Sequence, residues 1–267
     1  MRSVKFVIFA MAAVFLLSCS SGTSTNGGGG NGGGDGGGTT TAIIADHLAA
    51  AAFDLIPASY ISQAISNFHI FYGHTSHGSQ IITGLQMLQS ATYDYGSLSI
   101  QEEGTDLGDS SWPEITRTRL NEAGNNINVV MWAWCGQVSE ESTDINAYLN
   151  SMSQLERDYP SVKFIYMTGH TDGTGESGTL RTHNKQIRDY VEANNKTLFD
   201  FANVESYDPD GTYYADTSDN CGWCGAWCSS HTCQVCADCQ HSHCFNCYLK
   251  GKAFWWLVAR MSGWSGI

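Results

Sequence analysis

Residues 68–82 read FHIFYGHTSHGSQII, an apolar run followed by a polar turn and a second apolar segment. The run FHIFY ends at Gly73 and has the short, continuous hydrophobicity typical of a strand buried on both faces. Residues 79–89, SQIITGLQMLQ, then carry apolar side chains at helical spacing. The stretch therefore predicts a buried strand that leads through a tight turn into a helix.

The rest of the domain repeats this alternation. Further strands are predicted at 127–134 (INVVMWAW), 162–167 (VKFIYM) and 197–201 (TLFDF). Helices are predicted within 42–65, broken near Pro57, and at 142–157, 184–193 and 250–261. Regular strand–helix order predicts an α/β fold, a three-layer α/β/α sandwich around a parallel sheet. Ligands of such sheets bind beyond the carboxyl ends of the strands. The segments of interest are therefore 73–79, 135–138, 169–173 and the chain after Phe201.

The first 19 residues have the layout of an export signal. Arg2 and Lys5 precede an apolar run at 6–17 that is too short to span a bilayer with margin. The run ends in Leu-Leu-Ser-Cys at 16–19, which resembles the lipobox of bacterial lipoproteins. This resemblance implies cleavage before Cys19 and acyl chains on it, hence a membrane as partner. The alternative is an ordinary signal peptide with an incidental cysteine. Serines rather than Asp follow Cys19, which favours the outer membrane within the cell envelope.

Residues 20–41, SSGTSTNGGGGNGGGDGGGTTT, cannot bury apolar surface. Their composition predicts a disordered tether with a root-mean-square reach of roughly 25 Å. The remaining residues, 42–267, suit a single domain.

The composition limits the partners of this domain. The chain has 13 basic and 26 acidic residues and a formal net charge of −13. Such a charge argues against nucleic acid and against anionic membrane surfaces as partners. The chain also has 8 Trp, 12 Tyr and 11 Phe. These aromatic residues indicate either ordinary core packing or a groove in which sugar rings stack.

The turn at 73–80, GHTSHGSQ, could present a nucleophile. A serine between a strand and a helix has an exposed hydroxyl, and the N–H groups at the helix start point to the place where an oxyanion would form. Gly73 and Gly78 would permit a tight turn. Ser76 is the first candidate and Ser79 the second. The alternative is a capping Ser or Thr beside core histidines.

This segment resembles the first block of the SGNH (GDSL-type) hydrolases, in a divergent group that has Gly-His-x-Ser-x-Gly there. The resemblance extends over most of 66–260 and implies an ester hydrolase with Ser76 as nucleophile. The family's Asp-x-x-His block corresponds to Asp238-Cys239-Gln240-His241, so His241 is the implied base and Asp238 its orienting acid. Asp216 is an alternative acid, and His243 an alternative base.

The same family implies a glycine and an asparagine in an oxyanion hole. Gly108 and Gly104 are the candidate glycines. Gln137 follows the second predicted strand where the family has Asn, a departure that puts catalytic competence in question. His170, in Gly-His-Thr-Asp-Gly at 169–173, is a candidate substrate contact or alternative base; a hydrogen-bonded loop histidine is the other interpretation.

Eight cysteines lie within 221–247, with Cys135 apart from them. An oxidising compartment favours disulfides in this cysteine-rich insertion over a structural zinc ion. The number of cysteines besides Cys19 is odd, so at least one is free, metal-bound or paired elsewhere. The insertion precedes His241 and is expected to brace the loop that carries it.

Three functions remain open from the sequence. The first is a serine esterase or deacetylase that acts without a cofactor on ester-bearing glycans, lipids or small molecules. The second is a carbohydrate-binding or surface lipoprotein that has lost the chemistry. The third is a metal-dependent hydrolase with His74, His77, His170 and Asp172 as ligands.

Overall fold

The computed structural model describes residues 41–266. The predicted signal peptide, the lipid-modified Cys19 and the tether up to residue 40 lie outside the described residues.

A six-stranded sheet forms the centre of the described chain. Its strands are β1 (Ile43–Ala45), β2 (His69–Gly73), β3 (Ser99–Glu103), β4 (Val129–Trp132), β5 (Lys163–Met167) and β6 (Thr197–Phe199). They lie in the order β1-β6-β5-β4-β2-β3, and all neighbouring pairs are parallel. The predicted α/β class with a parallel sheet is confirmed, and the strand order is that of a flavodoxin-like or SGNH-like sheet.

Nine helices accompany the strands within residues 41–266. They are α1 (His47–Ala51), α2 (Ala58–Asn67), α3 (Ser79–Met87), α4 (Trp112–Asn121), α5 (Ile145–Asp158), α6 (Thr179–Ala193), α7 (Phe201–Ser206), α8 (Gly222–Ser230) and α9 (Cys244–Met261). Helices α1, α2 and α3 pack around α9, whereas α4, α5 and α6 pack on one another in the second helical layer. The sheet is thus covered by helices on both faces, which explains the continuous apolar runs of β2, β4 and β5.

The chain changes direction across the sheet between β2 and β4. From β2 it proceeds to β3 at one edge, and from β3 it returns past β2 to β4 and continues toward β5 and β6. This is a topological switch point, where the loops at the carboxyl ends of two adjacent strands diverge and leave a crevice. The loops after β2 and β4 therefore define the place where a ligand site is expected.

Two strands and three helices of the structure are not predicted from the sequence. The segment 42–65, predicted as helical only, begins with the edge strand β1. The other edge strand, β3, has the sequence SIQEE and is half-exposed, so it lacks the apolar run that marks a buried strand. Helices α4, α7 and α8 were not anticipated either, because α7 has six residues and α8 has almost no amphipathic pattern.

The expected disulfides are present. The eight clustered cysteines form four bonds, Cys221–Cys224, Cys228–Cys233, Cys236–Cys244 and Cys239–Cys247. All eight thiols are consumed, so the cluster offers no thiolates to zinc. Such a density of disulfides indicates a protein that functions outside the cytoplasm.

No single helix within residues 41–266 has the length and apolar character needed to cross a membrane. One sharply bent pair, His47–Leu55 with Ala58–Asn67, meets those criteria only when its two parts are combined.

Candidate active site

Side chains from three strand ends meet at the switch point. The loop 74–78 follows β2, Cys135 lies three residues after β4, and His170 lies three residues after β5. A fourth group, Asp219, comes from the segment between α7 and α8. The assembly lies at the carboxyl edge of the sheet, as the rule for open α/β sheets predicts.

Cys135, His77 and Asp219 form a hydrogen-bonded chain. The Nδ1 atom of His77 lies 3.3 Å from Sγ of Cys135, and its Nε2 atom lies 3.1 Å from Oδ2 of Asp219. Cys135 is half-buried and is the one cysteine of the described chain outside a disulfide. A thiol, an imidazole and an orienting carboxylate in this order are the components of an activated nucleophile.

The imidazole of His77 lies between two others. Its ring is stacked on that of His170 at 3.8 Å with an interplanar angle of 3°, and on that of His241 at 4.6 Å and 21°. Burial lowers the pKa of His77 below its ordinary value; His170 and His241 lower it further, against the opposing effects of Asp219 and Glu205. This lowered pKa favours the neutral imidazole, the form of His77 that can accept a proton.

Close packing fixes the loop that carries His77. A Cβ atom at Gly78 would lie 2.4 Å from Cβ of His74 and 2.8 Å from Cβ of Ala133, so glycine is needed there. The hydroxyl of Tyr72 donates to the carbonyl of Gly78 at 3.0 Å. The predicted glycine-bounded turn is therefore a tightly packed support for the imidazole.

Asp219 is anchored by the neighbouring disulfide and by a bridge to the β5 loop. Cys221, two residues later, is bonded to Cys224 at the start of α8. Ser218, one residue earlier, forms a backbone bridge with Asp172. The cysteine-rich insertion thus holds the carboxylate that faces His77.

The predicted nucleophile Ser76 lies beside this centre. Its Oγ atom is 4.0 Å from Sγ of Cys135, and among the described residues it has no hydrogen bond to an imidazole. The second candidate, Ser79, donates from Oγ to the carbonyl of Ser76 at 2.6 Å. Its hydroxyl is thus engaged with the backbone of the turn, but it does not cap α3, whose N-cap residue Gly78 has no side-chain capping hydrogen bond.

His241, the predicted base, contacts His77, whereas Asp238, its predicted partner, makes no hydrogen bond to it within the described residues. The ring of His241 is exposed and lies against His77, beside the loop of Ser76. The carboxylate of Asp238 is also exposed, and it accepts from the side chain of Gln240. Of the alternatives, Asp216 lies against Gly175. His243 caps α9 by accepting from the N–H of Phe245 at 3.1 Å.

The predicted oxyanion residues Gly108 and Gln137 are adjacent, but they serve to position Cys135. Oε1 of Gln137 accepts from the N–H of Cys135 at 3.0 Å, and its Nε2 donates to Asp106 at 3.3 Å. Asp106 also accepts from the N–H of Gly108 at 2.8 Å and from the hydroxyl of Thr75 at 2.5 Å. Gly104, the other candidate, has open space around it. Asp106 therefore connects Gln137, in the loop after β4, with Thr75, in the loop after β2.

Other donors are available to an oxyanion. Within the described chain, the N–H groups of Ser76 and Gly136 have no protein acceptor. These two residues flank Cys135, one along the chain and one across the crevice. A Cβ atom at Gly136 would meet nothing within 4 Å, so there is room for a substrate beside it.

A buried ion pair supports the loop that carries His170. The N–H and hydroxyl of Thr171 donate to Oε2 of Glu205 at 2.7 and 2.9 Å. The other oxygen of Glu205 accepts from Lys250 at 2.7 Å, and both side chains are fully buried. Burial lowers the pKa of Lys250, against the opposing effect of Glu205. This network links α7 and α9 to the loop after β5.

Some of these groups also have the spacing of metal ligands. One ligand atom each from His77, His170 and Asp219 lie within 4.8 Å of one another. The predicted ligands His74 and Asp172 are engaged elsewhere: Nε2 of His74 lies 2.8 Å from Glu102, and Asp172 accepts from Thr174 at 2.6 Å. In addition, a histidine nitrogen binds a metal ion through a lone pair that lies in the plane of its ring. Because the rings of His77 and His170 are parallel and stacked, one ion cannot lie about 2.1 Å from a nitrogen of each and in both planes unless a ring rotates.

Sequence reasoning missed the roles of Cys135 and Asp219. The signal for Cys135 was available, because it is the unpaired cysteine of a disulfide-rich chain and follows a strand end. Asp219 had no comparable signal, since it lies in an irregular segment among several other acidic residues. Comparison of the chain with family models, curated proteins and solved structures found no match.

Proposed function

We propose that this protein is an exported acyl hydrolase in which Cys135 is the nucleophile, His77 the general base and Asp219 the group that orients the base. The observation that carries the proposal is the pair of hydrogen bonds on either side of the His77 ring, 3.3 Å to Cys135 and 3.1 Å to Asp219. The order of groups is that of a nucleophile–base–orienting acid triad.

In the first half-reaction, Sγ of Cys135 attacks the carbonyl carbon of an ester. The thiol proton passes to Nδ1 of His77, and the carbonyl oxygen becomes an oxyanion beside the N–H groups of Ser76 and Gly136. The carbon–oxygen bond of the ester then breaks. His77 returns its proton to the departing alkoxide, which leaves as an alcohol, and a thioester remains on Cys135.

In the second half-reaction, a water molecule attacks the thioester. His77 accepts one proton of that water, the carbon–sulfur bond breaks, and the proton returns to the thiolate of Cys135. The acyl group leaves as a carboxylic acid. Because the lowered pKa of His77 disfavours an imidazolium ion, we expect the imidazole of the resting enzyme to be neutral and ready to accept a proton.

The cellular setting belongs to the same proposal. The lipobox-like sequence ending at Cys19 supports a lipid anchor in the cell envelope, with the outer membrane favoured by the serines that follow it. An enzyme tethered there meets esters of glycans and of lipids. The resemblance of residues 73–80 to SGNH hydrolases supports ester hydrolysis as the reaction class.

The SGNH resemblance also supports a competing assignment, with Ser76 as nucleophile and His241 as base. Rates of p-nitrophenyl acetate hydrolysis distinguish the two assignments, measured without reductant so that the disulfides persist. We expect Cys135→Ala to lower kcat/KM at least about 100-fold. We expect Ser76→Ala to retain the rate within about threefold, since no imidazole hydrogen bond is lost.

The opposite pattern would overturn the cysteine assignment. Full activity in Cys135→Ala together with loss in Ser76→Ala would make the serine the nucleophile. Full activity in both variants would exclude both the cysteine and the serine assignment. Asp238→Asn serves as a matched control, because this exposed carboxylate lies close to His241 in sequence and does not contact His77.

A second candidate is a metal-assisted hydrolase, favoured by the ligand spacing of His77, His170 and Asp219. In that case a bound divalent ion would activate water and Cys135 would be dispensable. Activity that is lost on chelation and restored by Zn²⁺ or Mn²⁺, with Cys135→Ala unaffected, would support this candidate against the cysteine mechanism.

A further inference from the structure

A second cavity lies on the same edge of the sheet. It has a volume of about 330 Å³, is open to solvent on one side, and is lined by residues of α1, the end of α7, α8 and the start of α9. This volume is within the range of small-molecule sites, about 300–1,000 Å³. Helices α1 and α7 begin directly after β1 and β6, so the cavity faces the carboxyl ends of these strands.

Two stacked aromatic pairs line this cavity. His47 and Tyr207 are stacked at 3.8 Å with an interplanar angle of 8°. Trp227 and His231 are stacked at 3.8 Å and 4°, and Phe245 lies nearly parallel to Trp227 at 6.5 Å. Trp227 and His231 belong to the cysteine-rich insertion, where the Cys228–Cys233 bond holds them. The insertion thus supplies one wall of the cavity.

Polar groups with spare hydrogen-bonding capacity lie among these rings. The side chains of Thr232 and Gln234 line the cavity and have no hydrogen-bond partner in residues 41–266. Lys252 also lines it, and the carboxylate nearest its ammonium group, that of Asp54, is 3.7 Å away, beyond hydrogen-bond distance. A ligand that enters this cavity therefore meets both flat π faces and free donors and acceptors.

We infer that this cavity binds a sugar unit of a neutral glycan. The C–H face of a pyranose is attracted to the negative face of an aromatic ring, and its hydroxyl groups would bond to Lys252, Thr232 and Gln234. Aliphatic side chains such as those of Val204 and Leu249 also line the cavity, but an acyl chain would leave its polar groups without hydrogen-bond partners. The net charge of −13 disfavours a polyanionic glycan.

This inference rests on the proposed function in one respect, since it makes the alcohol part of the ester a glycan. The cavity and the Cys135 centre lie on one edge of the sheet, so a single extended chain could occupy both. A glycan bound through its backbone at the aromatic cavity would present a neighbouring ester to Cys135. Binding itself does not require the triad, and it can be tested separately.

The test is calorimetric titration of the full chain, disulfides intact, with cellohexaose, xylohexaose and chitohexaose. We expect at least one of them to bind with a dissociation constant of about 1 mM or tighter. We expect two variants, Trp227→Ala and His231→Ala, each to weaken that binding at least about tenfold. The second of them replaces an exposed side chain. Tyr95→Ala, which removes a half-buried aromatic ring outside the cavity, should leave it unchanged.

Two results would overturn the inference. One is the absence of binding by all three oligosaccharides. The other is equal binding by wild type and His231→Ala, a variant that removes an exposed ring and is not expected to impair folding. Binding of decanoic acid that depends on Trp227, without binding of any oligosaccharide, would make the cavity an acyl-chain site and would count against it as well.

The same proteins separate this inference from the proposed function. Cys135→Ala should bind the oligosaccharide like wild type. If Cys135→Ala keeps full esterase activity and glycan binding still depends on His231, the proposed function fails and the glycan site stands.

Discussion

The Nδ1 atom of His77 lies 3.3 Å from Sγ of Cys135, although 58 residues separate the two in the chain. They meet because β2 and β4 are neighbours in the sheet while β3, which lies between them in sequence, occupies the edge. The loops after β2 and β4 thereby face each other across the switch point. The cysteines of the cysteine-rich insertion are paired in disulfides, so within the described chain Cys135 is the thiol available for chemistry.

Replacing Asp219 should impair catalysis without unfolding the protein. Asp219→Asn keeps the size of the side chain but removes the charge that faces Nε2 of His77 at 3.1 Å. We expect kcat for p-nitrophenyl acetate to fall about 100-fold or more, because an amide can stabilise the wrong tautomer of the base. The melting temperature should change little. An equal loss in Asp238→Asn, the control, would contradict this role for Asp219.

The dependence of kcat/KM on pH should report the ionisation of His77. Protonated His77 cannot accept the thiol proton, so the rate should fall as pH decreases through its pKa. Burial and the neighbouring imidazoles lower that pKa, so the acidic midpoint should lie below the ordinary histidine value of about 6.5. A midpoint above that value, measured by steady-state kinetics in constant-ionic-strength buffers, would contradict this environment.

Removing one of the stacked imidazoles should move this midpoint upward. His170 lowers the pKa of His77, so His170→Gln should raise that pKa and shift the acidic limb toward neutral pH. Lys185→Gln, which removes the charge of an exposed residue paired with Asp189, is the control and should leave the midpoint in place. An unchanged or lower midpoint in His170→Gln would show that the stack has no electrostatic effect on His77.

The sequence was informative about the sheet where the strands are buried. The apolar runs at 68–72, 127–134 and 162–167 correspond to β2, β4 and β5, because burial on both faces leaves no polar alternation in them. The edge strands β1 and β3 have no such signal. Ile43–Ala45 is too short for a periodic pattern, and Ser99–Glu103 faces solvent on one side.

The location of the candidate site followed from the fold, but the pairing within it did not. The segments 73–79, 135–138 and 169–173 were expected at the carboxyl edge, and the structure brings them together there. The rotation of the His77 ring toward Cys135 depends on tertiary packing around Gly78 and on Asp219 from a distant segment. Neither constraint is visible in local sequence spacing, and the local motifs instead favour Ser76 as nucleophile and His241 as base.

Removing one partner of the buried pair Lys250–Glu205 should lower the free energy of unfolding more than removing both charges. Glu205→Gln leaves the ammonium group of Lys250 buried without its counter-charge, and we expect a loss of about 3–5 kcal/mol in the free energy of unfolding. The double variant Glu205→Gln with Lys250→Met should lose less than the single one. Lys185→Ala, at an exposed pair with Asp189, is the control and should change stability by less than about 0.5 kcal/mol. Urea unfolding measures all three, and an equal loss in the single and double variants would contradict the expectation.

The contact between α3 and α9 should not tolerate a methyl group at Gly84. A Cβ atom there would lie 2.0 Å from the carbonyl oxygen of Cys247. We expect Gly84→Ala to lower the free energy of unfolding by about 1–3 kcal/mol through overpacking. Gly225→Ala, in helix α8 with nothing within 4 Å of its Cβ, should be neutral or stabilising. Similar unfolding curves for the two variants would mean that the helices are not in this close contact.

The most direct test of the account is to locate the acyl group during turnover. The protein is mixed with p-nitrophenyl acetate, quenched in acid within the first turnover and digested at low pH, and its peptides are analysed by mass spectrometry. The cysteine mechanism predicts an acetyl group as a hydroxylamine-labile thioester on Cys135, and none in the Asp219→Asn protein on the same time scale. An acetyl group on Ser76, with Cys135 unmodified, would contradict it.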